Sequence, residues 1–376
     1  MHKPAEFFRY PADAERAIAN MDAAYEQVVD LKRQIAAMPA SLFWVKREGR
    51  EYLAAHQTSK DSGTTLGPRN AETELQLEQH TASKKDARER LASLEKVLVD
   101  RVGMCRPFRL PRMPDRQGEI LRELDYAELL GTDLMVVGTN AFAAYEMACR
   151  ARFPVGNEET EDFDLAWCRG SSITLASRAA ADLKAQVQAE DPRPNLMGVL
   201  KAIDSSYKIN QKKPYQALSG DGYEVELLAA PSAHPLPGQT EFEPMQTLVE
   251  QEWLLRGTAL QCVVPTIRGR ACPLFVPDPR WMALHKLWLA EKPERNPNKK
   301  PKDARQGNVL LDATRYFLMD THPLDIDFVL DLPEELRPHF NAWAASRQHD
   351  PGFPRSWEGR DFSDGTTPEG RRMRRG

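Results

Sequence analysis

Residues 159–167 read ETEDFDLAW, and how this stretch folds decides the architecture. Asp162 and Asp164 stand on alternate positions in a run otherwise made of Phe163, Leu165, Ala166 and Trp167. Successive side chains of a strand point to opposite faces, so the two carboxylates share one face while Phe163 and Leu165 point into a core. Adjacent anions repel; a fold carries such a pair where the face is wet or where a cation sits between them.

Before this strand, DLMVVG (133–138) has the apolar run of a buried strand, and NAFAAYEMACRAR (140–152) reads as a helix starting directly after Gly138-Thr139-Asn140. A tight strand-to-helix turn presents backbone N–H groups where the helix dipole favours phosphate, and the Thr139 hydroxyl adds a donor. Taken alone, such a turn is more often only a turn. After the strand, ITLASRAAADLKAQVQAE (173–190) reads as a helix. YQALSGDGYEVELLAA (215–230) reads as a hairpin whose Gly220-Asp221-Gly222 turn supplies the positive-φ residues it needs. Strand, helix, strand, helix and hairpin predict a mixed sheet of the α/β (α+β) class.

The hairpin carries a third acid. Glu226 lies between Val225 and Leu227, and Glu224 shares its face. The alternation does not choose between them; Glu226 is preferred because it is flanked by apolar residues and lies deeper in the strand. Three carboxylates on neighbouring strands suit Mg²⁺ or Mn²⁺, hard cations that prefer oxygen ligands and also bind phosphates. An isolated D-x-D is more often a solvated strand, and the buried character of Leu165 to Trp167 argues against that plainer reading.

The flanks supply the rest of the organisation. Residues 12–38 and 71–103 are rich in Ala, Glu, Lys, Arg and Leu at helical spacing and predict two long helices pairing as an antiparallel hairpin. SLFWVKREGREYLAAH (41–56) between them predicts a β-hairpin turning at Glu48 to Arg50, followed by the polar stretch QTSKDSGTTLGPRN (57–70). This N-terminal part reads as an accessory module for packing or for homodimer formation. LQCVVPTIRGRACPLFVPDP (260–279) predicts another hairpin, and PRWMALHKLWLAE (279–291) and KDARQGNVLLDATRYFLM (302–319) two helices joined by the basic loop KPERNPNKKP. The expected domains are residues 1–115, 116–232 and 233–348, with a disordered Gly-, Pro- and charge-rich tail over 349–376.

Composition bounds the function. The 376 residues are 41% hydrophobic with a formal net charge of -4, enough for a sizeable core and without the global basic excess of many nucleic-acid binders. Five scattered cysteines without a CxxC pair argue for a reducing compartment and against zinc. No run is long and apolar enough for a membrane helix and the first residues lack an apolar signal core, so the expected location is cytoplasmic. His234 and His285 lack metal-ligand spacing, and neither a GxSxG elbow nor a GxxxxGK[ST] loop occurs. Trp253, Trp281 and Trp288 read as core residues.

Together, VVGTNAFAAYE (136–146), TEDFDLAW (160–167), GYEVELL (222–228), ALHKLW (283–288) and KDARQ (302–306) resemble the nucleotidyltransferase superfamily typified by DNA polymerase β. More narrowly they are similar to a bacterial branch distantly related to abortive-infection and toxin-type nucleotidyltransferases. The resemblance implies a nucleotidyltransferase-fold mixed sheet with an N-terminal helical hairpin and a mostly helical C-terminal region. It implies that Gly138, Thr139 and Asn140 seat the triphosphate of an NTP, and that Asp162, Asp164 and Glu226 ligate Mg²⁺ or Mn²⁺. The expected reaction moves a nucleoside monophosphate to a hydroxyl of an acceptor, a tRNA or a protein, with release of pyrophosphate. Two departures stand out: the third acid is Glu where Asp is usual, and RFPVGNEE (152–159) lengthens the interval between the turn and the acidic strand. Lys286 sits opposite Met282 and Leu289 on its helix and is expected to reach a phosphate, whereas Asp303 reads as a helix-capping residue. The rival reading is a nucleotide-binding regulatory or interaction protein without turnover.

Overall fold

The computed structural model describes residues 6–56, 63–154, 162–169, 174–175, 193–235, 240–242 and 246–347. The tail beyond 347, most of the expected helix over 173–190 and the insertion from 155 lie outside the described residues. The chain divides into two compact units, one of residues 16–107 with 269–271, the other of residues 1–15, 108–268 and 272–376.

The smaller unit is built on two long helices, α1 (Ala12–Ala37) and α2 (Ala71–Met104). They run antiparallel, as the sequence spacing predicts: Lys32 pairs with Glu95 at 3.0 Å, and Lys84, earlier on α2, donates to the carbonyls of Pro39 and Ala40 beyond the end of α1. The start of α2 is fixed by a capping box, in which Asn70 accepts from the Thr73 N–H and Thr73 accepts from the Asn70 N–H. Strands β2 (Ser41–Arg47) and β3 (Arg50–His56) form the expected hairpin, with Glu48 and Gly49 both at positive φ in its turn. The polar stretch after it is more than a loop: Thr64–Pro68 forms a third strand, β4, paired with β3. Its turn-rich composition hid an edge strand that packs little of its own surface.

The larger unit carries an α+β fold. Its short strand β1 (Phe8–Arg9) pairs with β6 (Ala151–Arg152). The main sheet has the order β5 (Leu134–Val136), β7 (Asp162–Trp167), β11 (Glu224–Ala229), β10 (Lys213–Leu218), β9 (Lys208–Asn210), with β12 (Gln246–Thr247) beside the end of β11. The remaining strands, β8 (Thr174–Leu175), β13 (Thr258–Pro265) and β14 (Ala271–Val276), make a three-stranded sheet. Thr174 and Leu175, at the start of the expected helix, are instead extended and pair with Thr258 and Ala259; the rest of that stretch lies outside the described residues. The helices among the described residues are α3 (Asp115–Tyr126), α4 (Phe142–Ala148), α5 (Leu196–Ile203), α6 (Gln251–Leu254), α7 (Pro279–Glu291), α8 (Lys300–Phe317), α9 (Ile326–Leu330) and α10 (Arg337–Arg347). α7 and α8 approach closely because Gly307 has no side chain; a Cβ there would meet Leu287 Cγ at 2.6 Å and the Ala283 carbonyl at 2.7 Å.

The alternation in the central strands is as the sequence predicts. Phe163, Leu165, Val225, Leu227 and Ala217 are fully buried on one face of the sheet, while Asp164, Glu224 and Glu226 on the other are partly exposed. Beside this core, α4 buries Glu146, whose carboxyl burial pushes up to about 8. A folded-state value raised above the unfolded one favours the protonated native state, so this stability is complete below about pH 4.5 and lost as pH rises through about 8. Glu146→Gln should therefore nearly match the parent at pH 4.5 and exceed it by about 5 kcal/mol at pH 9 in urea denaturation. Equal stability at both pH values would contradict a buried neutral carboxyl.

Candidate active site

Parallel pairing of β7 with β11 assembles the site. Their register sets Asp162 beside Glu224 and Asp164 beside Glu226, so four acidic positions from two strands occupy one face. The sequence cannot choose between Glu224 and Glu226, and the structure keeps both in play: Gln216, the β10 residue opposite Glu226, donates from Nε2 to Glu224 Oε2 at 2.5 Å and to Glu226 Oε1 at 3.1 Å. The β10–β11 turn is pinned by Arg116 of α3, which binds Asp221 at 2.6 Å and Asp204 at 3.1 Å and lies over the rings of Tyr207 and Tyr223. The Ser219 hydroxyl hydrogen bond first, and then the Arg116 guanidinium, hold the Asp221 carboxyl down at about 2. In that turn only Gly222 takes a positive φ, of 85°; Gly220 is needed instead for its closeness to Ser206, whose hydroxyl accepts the Gly220 N–H.

Antiparallel pairing of β5 with β7 brings the Gly138 turn to the acids. Val137 N–H donates to the Asp164 carbonyl at 3.2 Å, and Gly138 follows at φ 71°. A Cβ on Gly138 would stand 2.5 Å from Asp164 Oδ2, so the absence of a side chain is what admits the carboxylate. Gly138–Ala141 forms a 3-10 turn before α4, rather than the immediate α-helix expected after Asn140, and α4 ends at Ala148 before the chain turns at Arg150. Gly138, Thr139 and Asn140 are all partly exposed. Gly138→Ala should cost about 1–3 kcal/mol through the positive φ and the clash, and should lower activity further in the folded fraction by displacing Asp164. Unchanged midpoint and unchanged activity would remove the close approach as a requirement.

Lys286 is not a solvated helix lysine. It is 3% exposed and bonds Asp303 at 2.8 Å, and Arg295 grips the other oxygen of Asp303 at 2.8 Å from Nε. Burial pulls the Lys286 ammonium down, while Asp303 and, more weakly, Asp164 pull it up. Asp303 does not cap α8, whose first turn has no side-chain cap; the buried pair with Lys286 wins over the local role. Of the basic loop, Arg295 is engaged by Asp303 and Lys292 by Glu250 and the Trp288 ring, so these two do not form a loose cationic grip. His285 is buried with neither ring nitrogen hydrogen-bonded, and burial draws it down to about 3, which keeps it neutral. Trp253 and Trp281 are buried, and Trp288 is partly exposed beside His285. Gln216 and Arg295 were missed by sequence reasoning: a glutamine within a strand and an arginine within a charged loop carry no motif.

The sequence model of a family described as Nucleotidyltransferase matches residues 115–325, more than half of the chain and the whole of this constellation. The chain belongs to this nucleotidyltransferase family. No curated protein and no solved structure matches it significantly. The protein is thus a transferase enzyme acting in nucleotidyl transfer. No described helix of the nucleotidyltransferase is long and apolar enough to cross a membrane.

The acidic face of this nucleotidyltransferase offers oxygen donors alone, the chemistry a hard divalent cation takes. Among the described residues no three His, Cys, Asp or Glu side chains converge as a metal cluster; the Asp162 side chain is not among those described. The donor type and the room left by Gly138 at Asp164 Oδ2 fit Mg²⁺ or Mn²⁺.

Proposed function

We propose that the enzyme transfers a nucleoside monophosphate from an NTP to a hydroxyl of an acceptor, releasing pyrophosphate, with Asp162, Asp164 and Glu226 as the carboxylates of the reaction. The observation that carries this reading is the in-register pairing of Asp164 with Glu226 beside Gly138. Asp162 and Asp164 would hold Mg²⁺ or Mn²⁺, which when bound neutralises phosphate charge and lowers the pKa of an attacking hydroxyl. Glu226 would accept the proton of the acceptor hydroxyl. Gly138, Thr139 and Asn140 would seat the triphosphate through backbone N–H groups and the Thr139 hydroxyl. Lys286, held by Asp303, would set a positive charge behind the phosphates.

A tRNA is the preferred acceptor over a protein side chain, by analogy with the toxin-type relatives that the sequence resembles. The test is incubation with α-labelled and γ-labelled NTPs, Mg²⁺ and total cell extract. The α-label should enter a ribonuclease-sensitive product and the γ-label should leave as pyrophosphate. Label entering a protease-sensitive product would move the acceptor to protein. Nucleotide binding without labelled product would support the regulatory reading. For an RNA acceptor, affinity should fall steeply with added salt, as expected when phosphates are neutralised by cations.

A further inference from the structure

We infer that Gln216 is a positioning residue for the acidic face: its amide, oriented by Asn210, bridges Glu224 and Glu226 and fixes them in place for a divalent cation. The inference rests on the proposed cation-binding role of that face. The orientation of both amides follows from donors and acceptors whose identity is fixed. The Lys212 backbone N–H, which can only donate, points to Asn210 Oδ1 at 3.0 Å. Asn210 therefore turns its Nδ2 outward, and this donates to Gln216 Oε1 at 2.5 Å. Gln216 in turn must present its NH₂ group to the two glutamates, and its two protons match the two carboxylates it meets.

Gln216 is fully buried, so these bonds are not competed away by water. Gln216 takes one oxygen of each glutamate. Glu224 and Glu226 are like charges on the same face of one strand, and a neutral amide with two donors quiets that repulsion without supplying a counter-charge. A lysine or arginine in its place would do so by occupying the site with a cation. An apolar residue would remove this shared bond from both carboxylates. Groups that orient metal ligands from behind commonly change metal affinity ten- to a hundredfold when removed. The sequence hides this arrangement, because Asn210, Gln216 and the two glutamates meet only across three paired strands.

The test is calorimetric titration of Mn²⁺ into the full-length wild type and into Gln216→Met, Asn210→Ala and Asp164→Asn, with thermal melts of each in the absence of metal. Wild type should bind, Asp164→Asn should not, and Gln216→Met should bind about tenfold more weakly. Asn210→Ala, which leaves Gln216 in place but removes what orients it, should bind a few-fold more weakly and serves if Gln216→Met fails to fold. A purely structural glutamine would lower the melting midpoint and leave Mn²⁺ affinity at the wild-type value, and that result overturns the inference while the cation site stands. Wild type without Mn²⁺ binding would overturn the cation reading of the face and this inference together.

Discussion

Asp164→Asn is expected to lower nucleotide transfer by at least about a thousandfold, the scale of losing a charge aimed at the reacting phosphates. The fold should survive, because Asp164 is partly exposed and its backbone carbonyl, not its side chain, accepts the Val137 N–H. Without divalent ions the variant should melt at or above the wild-type temperature, since one anion of a crowded face is gone. With millimolar Mg²⁺ the wild type should gain stability through binding to the native state alone, and the variant should lose most of that gain. Asp162→Asn combined with Asp164→Asn should abolish both effects. Transfer and Mg²⁺-linked stabilisation both left intact in the double variant would refute the assigned roles.

The second large effect is on stability. Asp303→Ala should destabilise the larger unit by about 3–5 kcal/mol, the usual cost of removing one partner from a buried ion pair. Asp303 is 1% exposed and holds two cations, Lys286 and Arg295, so its loss strands both. Lys286→Met should cost less, because Arg295 continues to pair with Asp303 and methionine fills the same space. The readout is the urea midpoint of the transition. A loss under about 1 kcal/mol for Asp303→Ala, below the mutational cost of a single charged hydrogen bond, would show that the trio contributes little to the fold.

The acidic strands were legible because a period of two is a local property: Phe163 and Leu165 against Asp162 and Asp164, Val225 and Leu227 against Glu224 and Glu226. Their neighbouring position was expected, but their parallel direction and register were not legible, since parallel strands meet through a crossover whose geometry no short window encodes. The long helices of the smaller unit were legible from composition, and the capping box at Asn70 marks the start of the second. Propensity misled where tertiary pairing won: Thr174 and Leu175 lie in an Ala-rich segment yet pair with β13, and Asp303 has a capping residue's chemistry yet faces Lys286. Gln216 and Arg295 had no signal at all, because their roles exist only through partners distant in the chain.

The central claim is that carboxylates of β7 and β11 meet around a divalent cation beside Gly138. Anomalous diffraction from crystals grown with Mn²⁺ and a non-hydrolysable NTP tests it most directly. The account predicts an anomalous peak within coordination distance of Asp164 and of Glu226 or Glu224, with the nucleotide's phosphates beside Gly138 and Thr139. Manganese and phosphates seated elsewhere, with the β7 and β11 acids bare, would contradict it.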